Sequence, residues 1–368
     1  MGEKLKIMKN IIIVTYEFPS KMGGIGRYLF NLAYGLSNSK EYKVTVLTPK
    51  GQAKKCGNSL VIDKLGNGKL LDLITILKLL WRLKEGTVIW GHSRTFLLAY
   101  LLMLIGLRFY YSSVVPLYGS ELLRAKRKSF YSWYFHKFLK QCAEIIPISK
   151  FTKGLLRPDF QDRAAIIYPS VSEDFFDTET VIPNGRSDVF VFGTLSRLVK
   201  RKGHALVLQC LSELKNRYDF KYFIAGDGPE SDSLHDQVVE LGLTENVQFL
   251  GRLSDDRLLE FYDQLDVFIM LNKLESDDVE GFGYTFVEAG ARSVPVLGGR
   301  NGGACEVIID KQTGWLVDVE DRSEVLLVLE EILSANFDMA EYGNNAKQHY
   351  LSKFSVKEIF SKYDELFK

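Results

Sequence analysis

Short β-branched runs alternate with helical patterns along this chain, and the alternation occurs twice. Residues 10–16, 43–48, 87–91, 112–118 and 144–148 are apolar runs of strand length. Residues 27–37, 69–84, 95–105 and 121–141 carry apolar side chains at helical spacing between them. Such alternation predicts a parallel sheet covered by helices on both faces. Pro183 to Asp188 is turn chemistry without periodicity, and the pattern restarts after it. Further strands are predicted at 189–195, 222–225, 247–250, 267–271 and 295–297. The fold class is therefore α/β: two Rossmann-like, doubly wound parallel-sheet domains in tandem with a cleft between them. The first is expected over residues 1–182, the second over 183–354, with a last helix in 355–368; a chain of 368 residues suits two medium domains.

Composition excludes several classes. Apolar residues make up 46% and charged residues 25%, as in a soluble globular enzyme. There is no internal repeat and no low-complexity tract. Cys56, Cys142, Cys210 and Cys305 are too far apart for a zinc or redox motif and suit a reducing compartment. The run Ile11 to Val14 is too short for a signal-peptide core and reads as a buried strand. The apolar stretch Phe96 to Leu107 is shorter than the ~20 residues of a spanning helix. A cytoplasmic location is expected. Residues 1–180 carry 27 Lys and Arg against 14 Asp and Glu, whereas the remainder carries 20 against 32. The two halves are thus built to face different partners, the first an anionic membrane or a phosphorylated acceptor; no nucleic acid is expected. Arg124, Lys126, Arg127 and Lys128 stand next to Phe130, Tyr131, Trp133, Tyr134 and Phe135, which suits peripheral contact with an anionic membrane.

Ligands of doubly wound sheets bind beyond the carboxyl ends of the strands, so the chemistry is expected there. After the first strand come Glu17 to Gly26, holding Gly23 and Gly24, and then a helix. Glycines let backbone approach a ligand, and a helix start favours an anion. Gly24 to Gly26 resembles part of a dinucleotide fingerprint, but no third glycine follows and the second strand ends, Val46 to Pro49, without an acid for a ribose. A nicotinamide cofactor is not expected. In the second half, the strand at 189–195 runs into Arg197, Lys200, Arg201 and Lys202 ahead of Gly203. Arginine offers phosphate a planar fork and lysine a point charge. Gly226 to Pro229 is a tight turn read as structural. Glu280 to Gly283 precedes the helical segment Tyr284–Ala291, and Glu288 lies one turn inside it. One acid could hold a sugar and the other the ribose hydroxyls. A third glycine turn runs from Gly298 to Glu306.

Taken together, these features resemble glycosyltransferase family 4, with the two-Rossmann-domain fold called GT-B. The resemblance covers nearly the whole chain and is strongest from Gly193 to Val317. Its most specific part is the pair Glu280 and Glu288, seven residues between them, with Gly281-Phe282-Gly283 inside. By matching positions it implies that Arg197 and Lys202 bind the donor diphosphate and that Glu288 binds the ribose. Glu280 and the backbone near Gly283, Tyr284 and Thr285 would contact the transferred sugar, and Gly24 would approach the phosphate. It also implies retention of the anomeric configuration, with a nucleotide-sugar as substrate and no cofactor or metal. No Asp-x-Asp triplet occurs, in agreement with a metal-free mechanism. The wording around Asp278 to Gly283 is similar to that of members using GDP-mannose, although enzymes using UDP-sugars share much of it.

One position departs from the pattern. Many relatives place His-Gly ahead of an acid at the end of the fourth strand; this chain has Tyr118, Gly119, Ser120 and Glu121. Tyrosine can bond a sugar hydroxyl but is no cation at neutral pH. Tyr118 is kept as a catalytic candidate, with His92 and Glu121 as candidate acceptor contacts. The expected activity is transfer of a hexose to a glycan or lipid-linked acceptor in surface polysaccharide or glycolipid assembly. The alternatives are a nucleotide-sugar 2-epimerase on the same fold and a non-catalytic nucleotide-sugar-binding member of an assembly complex.

Overall fold

A computed structural model describes residues 8–18, 23–52, 55–66, 70–106, 110–177, 189–275, 278–334 and 337–368. The chain forms two compact units, one of Met1–Ser170 with Val356–Lys368, the other of Val171–Ser355. The first contains β1 (Lys9–Val14), α1 (Gly24–Asn38), β2 (Tyr42–Pro49), β3 (Leu60–Leu65), α2 (Leu70–Leu83), β4 (Gly86–Trp90) and α3 (Phe96–Leu104). It continues through β5 (Tyr111–Leu117), α4 (Ser120–Lys126), α5 (Phe130–Gln141), β6 (Glu144–Pro147), α6 (Lys150–Leu155) and α7 (Pro158–Gln161). The strands form one parallel sheet in the order β3-β2-β1-β4-β5-β6.

Both faces of this sheet are buried because alternate side chains of each strand are apolar. Ile11 and Ile13 join Leu29, Leu32 and Tyr363 in one core, while Ile12 and Val14 join Ile76, Leu102 and Phe135 in the other. The first core is closed by the last helix, written α16 (Val356–Phe367) because eight helices of the second unit precede it in the chain. It packs on α1 and buries Ile359 and Tyr363, each worth roughly 1.5–3 kcal/mol by area. The Tyr28 and Tyr363 hydroxyls bond each other, and Tyr42 Oη donates to Asp364 Oδ1 at 2.7 Å. A single helix expected over 121–141 is two. Ser129 Oγ accepts from Ser132 N at 3.2 Å and so caps a new helix, α5, after the basic turn 127–128.

The second unit contains α8 (Asp174–Asp177), β7 (Phe190–Leu195), α9 (His204–Leu214), β8 (Phe220–Ala225), α10 (Ser231–Glu240), β9 (Val247–Gly251), α11 (Leu258–Asp263) and β10 (Val267–Met270). Then follow α12 (Tyr284–Ala291), β11 (Val296–Gly299), α13 (Ala304–Val307), β12 (Gly314–Val317), α14 (Arg322–Leu333) and α15 (Met339–Phe354). Its parallel order is β12-β11-β10-β7-β8-β9. Residues 171–177 belong to this unit rather than to the first: Val171 N donates to Phe354 O at 2.9 Å, and Phe175 O accepts from Arg292 Nη1 at 3.3 Å. The turn Pro183 to Asp188, where the boundary was expected, lies outside the described residues.

In each sheet the order reverses direction at one point, between β1 and β4 and between β7 and β10. Loops leaving the two strands there diverge, which opens a crevice at their carboxyl ends.

Candidate active site

In the second unit the crevice is built by the loops that leave β7 and β10. A 3₁₀ turn over Lys200–Lys202 ends at Gly203, in the left-handed region at φ 75°, and a Cβ there would stand 2.0 Å from Leu271 O. Glycine alone allows this approach. It presses the basic turn onto the end of β10, and Lys273 N then donates to Arg201 O at 2.7 Å. Two segments about seventy residues apart in the sequence are thereby brought side by side.

The charges meet as a consequence. Lys202 Nζ pairs with Glu280 Oε2, and Arg201 Nη1 reaches the same oxygen at 2.9 Å. Arg201 Nε bonds Asp278 Oδ2 at 2.7 Å. The other Glu280 oxygen accepts from Gly283 N at 3.2 Å, at the start of α12. Burial alone would raise the Glu280 carboxyl, but the Lys202 and Arg201 charges outweigh it and hold it down to about 2. Burial pushes the Lys202 ammonium down while Glu280 opposes the shift. Two cations face two carboxylates, so the cluster itself has no net charge. Arg197, by contrast, is exposed, and its side chain makes no ion pair among the described residues.

The glycine turns serve this cluster from behind. Gly303 N donates to Glu280 O at 2.8 Å, and a Cβ on Gly302 (φ 59°) would stand 2.6 Å from the same oxygen. The Gly226–Pro229 turn backs the other loop, with Leu198 N donating to Asp227 O at 3.0 Å. Glu288 lies under α12, 1% exposed, and its Oε2 accepts from Tyr262 Oη at 2.7 Å. One turn on, Arg292 holds Asp263 in a buried fork, with both bonds at 2.8 Å. Tyr284 and Thr285 open α12, both half-buried. No group of three or more His, Cys, Asp or Glu side chains among the described residues is placed to hold a metal ion.

His204 opens α9 behind the basic turn and shares a 3.1 Å hydrogen bond with Ser196 Oγ. Burial, helped by Lys202, lowers its pKa to about 4. The unfolded chain takes up this proton near pH 6.5 and the folded chain only near 4, so its contribution is present above 6.5 and lost as pH falls. We expect acidification from pH 7 to 4.5 to cost about 2–3 kcal/mol through this group. His204→Gln should flatten the pH dependence of the melting temperature over that window. An unchanged slope would contradict the buried, neutral imidazole.

In the first unit, Gly24 is exposed, with nothing within 4 Å of where a Cβ would stand. The start of α1 already holds an anion: Glu17 Oε1 accepts from Gly23 N at 2.9 Å and Gly26 N at 3.2 Å. Burial raises the Glu17 carboxyl, and these two bonds oppose the shift. Residues 19–22 of the same loop lie outside the described residues. Tyr118 Oη donates to Gly91 O at 3.0 Å, and burial pushes the phenol well above its ordinary value, so it stays neutral. Glu121 is buried and accepts from Tyr118 N and from Gly119 N, the latter at 3.3 Å, which ties it to the start of α4. His92 Nδ1 accepts from Arg94 N at 3.1 Å, leaving the ring proton on Nε2, and burial lowers its pKa to about 4. Tyr118, Gly91 and His92 thus gather at the ends of β4 and β5.

Arg201, Asp278 and Glu17 were not singled out by the sequence. Arg201 was visible only as one of four cations. Which of them folds inward depends on the turn at Gly203.

Residues 177–349 match the family model described as Glycosyl transferases group 1, and residues 22–175 match the one described as Glycosyltransferase Family 4. The chain is similar to the GDP-mannose-dependent alpha-(1-6)-phosphatidylinositol monomannoside mannosyltransferase of Mycolicibacterium smegmatis, 32% identical over 201 residues, 51% of this chain and 52% of that protein. That match therefore spans about half the relative's length. With the protein of the same description from Mycobacterium tuberculosis it shares 27% identity over 360 residues, 89% of each chain. Among solved structures, a glycosyltransferase from Rickettsia africae superposes with a TM-score of 0.79 at 20% identity, covering 98% of both chains. Anabaena HepE in complex with UDP and glucose superposes with a TM-score of 0.77 at 18% identity, covering 98% of this chain and 99% of that one. These two likenesses speak to the fold, which is GT-B. Between them the two family models cover every strand of both sheets except β1, and the chain belongs to the glycosyltransferases of family 4.

Proposed function

We propose that this glycosyltransferase moves a hexose, with retention and without a metal, from a nucleotide-sugar to a glycan or lipid-linked acceptor in surface polysaccharide or glycolipid assembly. The observation that carries the reading is Glu280, fixed between Lys202, Arg201 and the first turn of α12. A carboxylate held this firmly is oriented before a sugar arrives, so little ordering remains to be done on binding. The donor diphosphate would meet Arg197, Lys202 and the α12 start, and Glu288 would take the ribose after exchanging its bond to Tyr262. Because Arg201 and Lys202 are already balanced by Asp278 and Glu280, the exposed Arg197 and Lys200 are left to supply net positive charge at this crevice. Stabilising the departing diphosphate would then carry most of the rate.

The two mycobacterial relatives are named for GDP-mannose, which favours that donor over UDP-sugars. Tyr118, His92 and Glu121 would act on the sugar and the acceptor, and Gly24 would approach the donor phosphate. The acceptor's lipid would keep the enzyme peripheral on the inner face of an anionic membrane.

Calorimetric titration with GDP and UDP, with and without EDTA, tests the donor site. One nucleotide should bind independently of metal, and Arg197→Ala and Glu288→Gln should each weaken it about tenfold, or ~1.4 kcal/mol. Binding of neither nucleotide, or binding by both variants as tight as by the unsubstituted chain, would remove the reading. Donor turnover without transfer product would favour the epimerase, and tight binding without any turnover the non-catalytic member.

A further inference from the structure

The connections β3→β4, β4→β5 and β5→β6 all step the same way across the first sheet, so α2, α3 and α5 lie on one face of it; α1 steps the other way, from β1 to β2. The inner sides of these three helices share one core. Their outer sides are apolar as well. On α2, Leu71, Ile74 and Trp81 are 73%, 43% and 87% exposed. At the end of α3, Leu104 and Ile105 are 59% and 69% exposed, and on α5 Trp133 is 53% exposed. The Trp133 ring stands edge-on to Tyr100 at 5.9 Å, which joins the surfaces of α3 and α5. A helix in a soluble layer normally turns one apolar stripe inward and polar groups outward. A group of apolar side chains this exposed marks an interaction surface.

Charge says what it meets. Every exposed charged side chain on residues 70–84, 96–106 and 120–141 is basic, among them Lys78 and Arg82 on α2, Lys126 to Lys128 ahead of α5, and Lys140 at its end. The acids of these segments, Asp72 and Glu121, are buried; Asp72 accepts from Tyr16 Oη at 2.7 Å and from Gly66 N at 2.6 Å. A second copy of the chain would set basic against basic across such a face. An anionic bilayer would complement it. No described helix is long and apolar enough to cross a membrane. The nine residues of α3 span only ~14 Å against a hydrocarbon core of ~30 Å, so contact must be in the plane of the surface.

We propose that the α2–α3–α5 face lies flat on an anionic lipid bilayer, with Trp81, Leu104 and Trp133 at the boundary of headgroups and acyl chains and the flanking cations on lipid phosphates. Of the stretch 124–135, only the exposed cations, Phe130 and Trp133 take part, since Tyr131, Tyr134 and Phe135 are buried. The main contact is α2. The proposal does not depend on the donor-site assignment.

Flotation of the full chain with phosphatidylglycerol-containing vesicles and with pure phosphatidylcholine vesicles tests it. The chain should bind the first and not the second, and about 0.5 M salt should reduce binding several-fold. The double variant Trp81→Ser, Leu104→Ser should lower partitioning about tenfold, with its melting temperature and nucleotide binding unchanged. Val239→Ser, which removes an equally exposed side chain (68%) from the second unit, should leave partitioning unchanged. Absent binding at low salt, equal binding to both vesicles, or wild-type binding by the double variant would overturn the proposal. So would equal loss with Val239→Ser, or a dimer that the double variant splits while vesicles stay unbound.

Discussion

Glu280→Gln is expected to reduce sugar transfer about a hundredfold or more while leaving nucleoside diphosphate binding intact or tighter. The substitution keeps the side chain's shape and removes its charge. Lys202 then loses the Glu280 carboxylate, and Arg201 keeps its bond to Asp278. Two consequences run in opposite directions. The cluster gains one net positive charge to attract a diphosphate, which favours binding of the nucleotide alone. The charge proposed to orient the sugar is gone, so the transition state is expected to lose more than the ground state. Stability should fall by about 3 kcal/mol, the low end for breaking a buried pair, because Arg201 retains one partner. Steady-state transfer rates beside calorimetric GDP and UDP binding separate the two effects. Binding that weakens in step with the rate would mean Glu280 acts on the nucleotide rather than on the sugar.

Arg292→Ala should be the most destabilising single change in the second unit that leaves the crevice side chains in place. Arg292 and Asp263 are 0% and 4% exposed, and their paired bonds of 2.8 Å join α12 to α11. Removing the guanidinium takes the paired cation from a buried carboxylate and a donor from Phe175 O, a loss of about 3–5 kcal/mol. For a unit of this size that corresponds to a melting temperature lower by roughly 10 °C. Arg292→Met combined with Asp263→Leu should recover most of the loss, since the penalty comes from the unpaired charge and not from missing volume. Thermal melting of the three variants checks both halves. A double variant as unstable as the single one would show that the fork's geometry, not its charge balance, holds α12. Because Glu288 sits one turn earlier on α12 and bonds Tyr262, any tilt of the helix should also appear as weakened nucleotide binding.

Most of the architecture was legible because parallel strands buried on both faces are nearly all apolar, and β1, β4 and β10 stand out as such runs. The strands that escaped notice, β3 and β12, are both sheet edges. β3 is mostly half-buried and carries Asp63 and Lys64, and β12 has only four residues, so neither shows a pattern that differs from a loop. The break between α4 and α5 was hidden because Arg127 and Lys128 are compatible with a helix, and only the Ser129 cap ends it.

The sequence by itself determined the two-sheet plan, the family, and the segments where charge and glycine collect: 197–203, 280–288 and 298–306. Those are local properties, written in spacing and residue type. What only the tertiary structure decided is which charges meet. Gly203 allows the basic turn to touch Leu271 O, and this contact selects Arg201 and Lys202, but not Arg197, as partners of Asp278 and Glu280. Likewise Glu17, an unremarked residue at the end of a strand, became the anion at the start of α1 because the chain folds back within reach of Gly23 N and Gly26 N. Pairing across such distances in sequence depends on strand order and backbone approach, neither of which periodicity encodes.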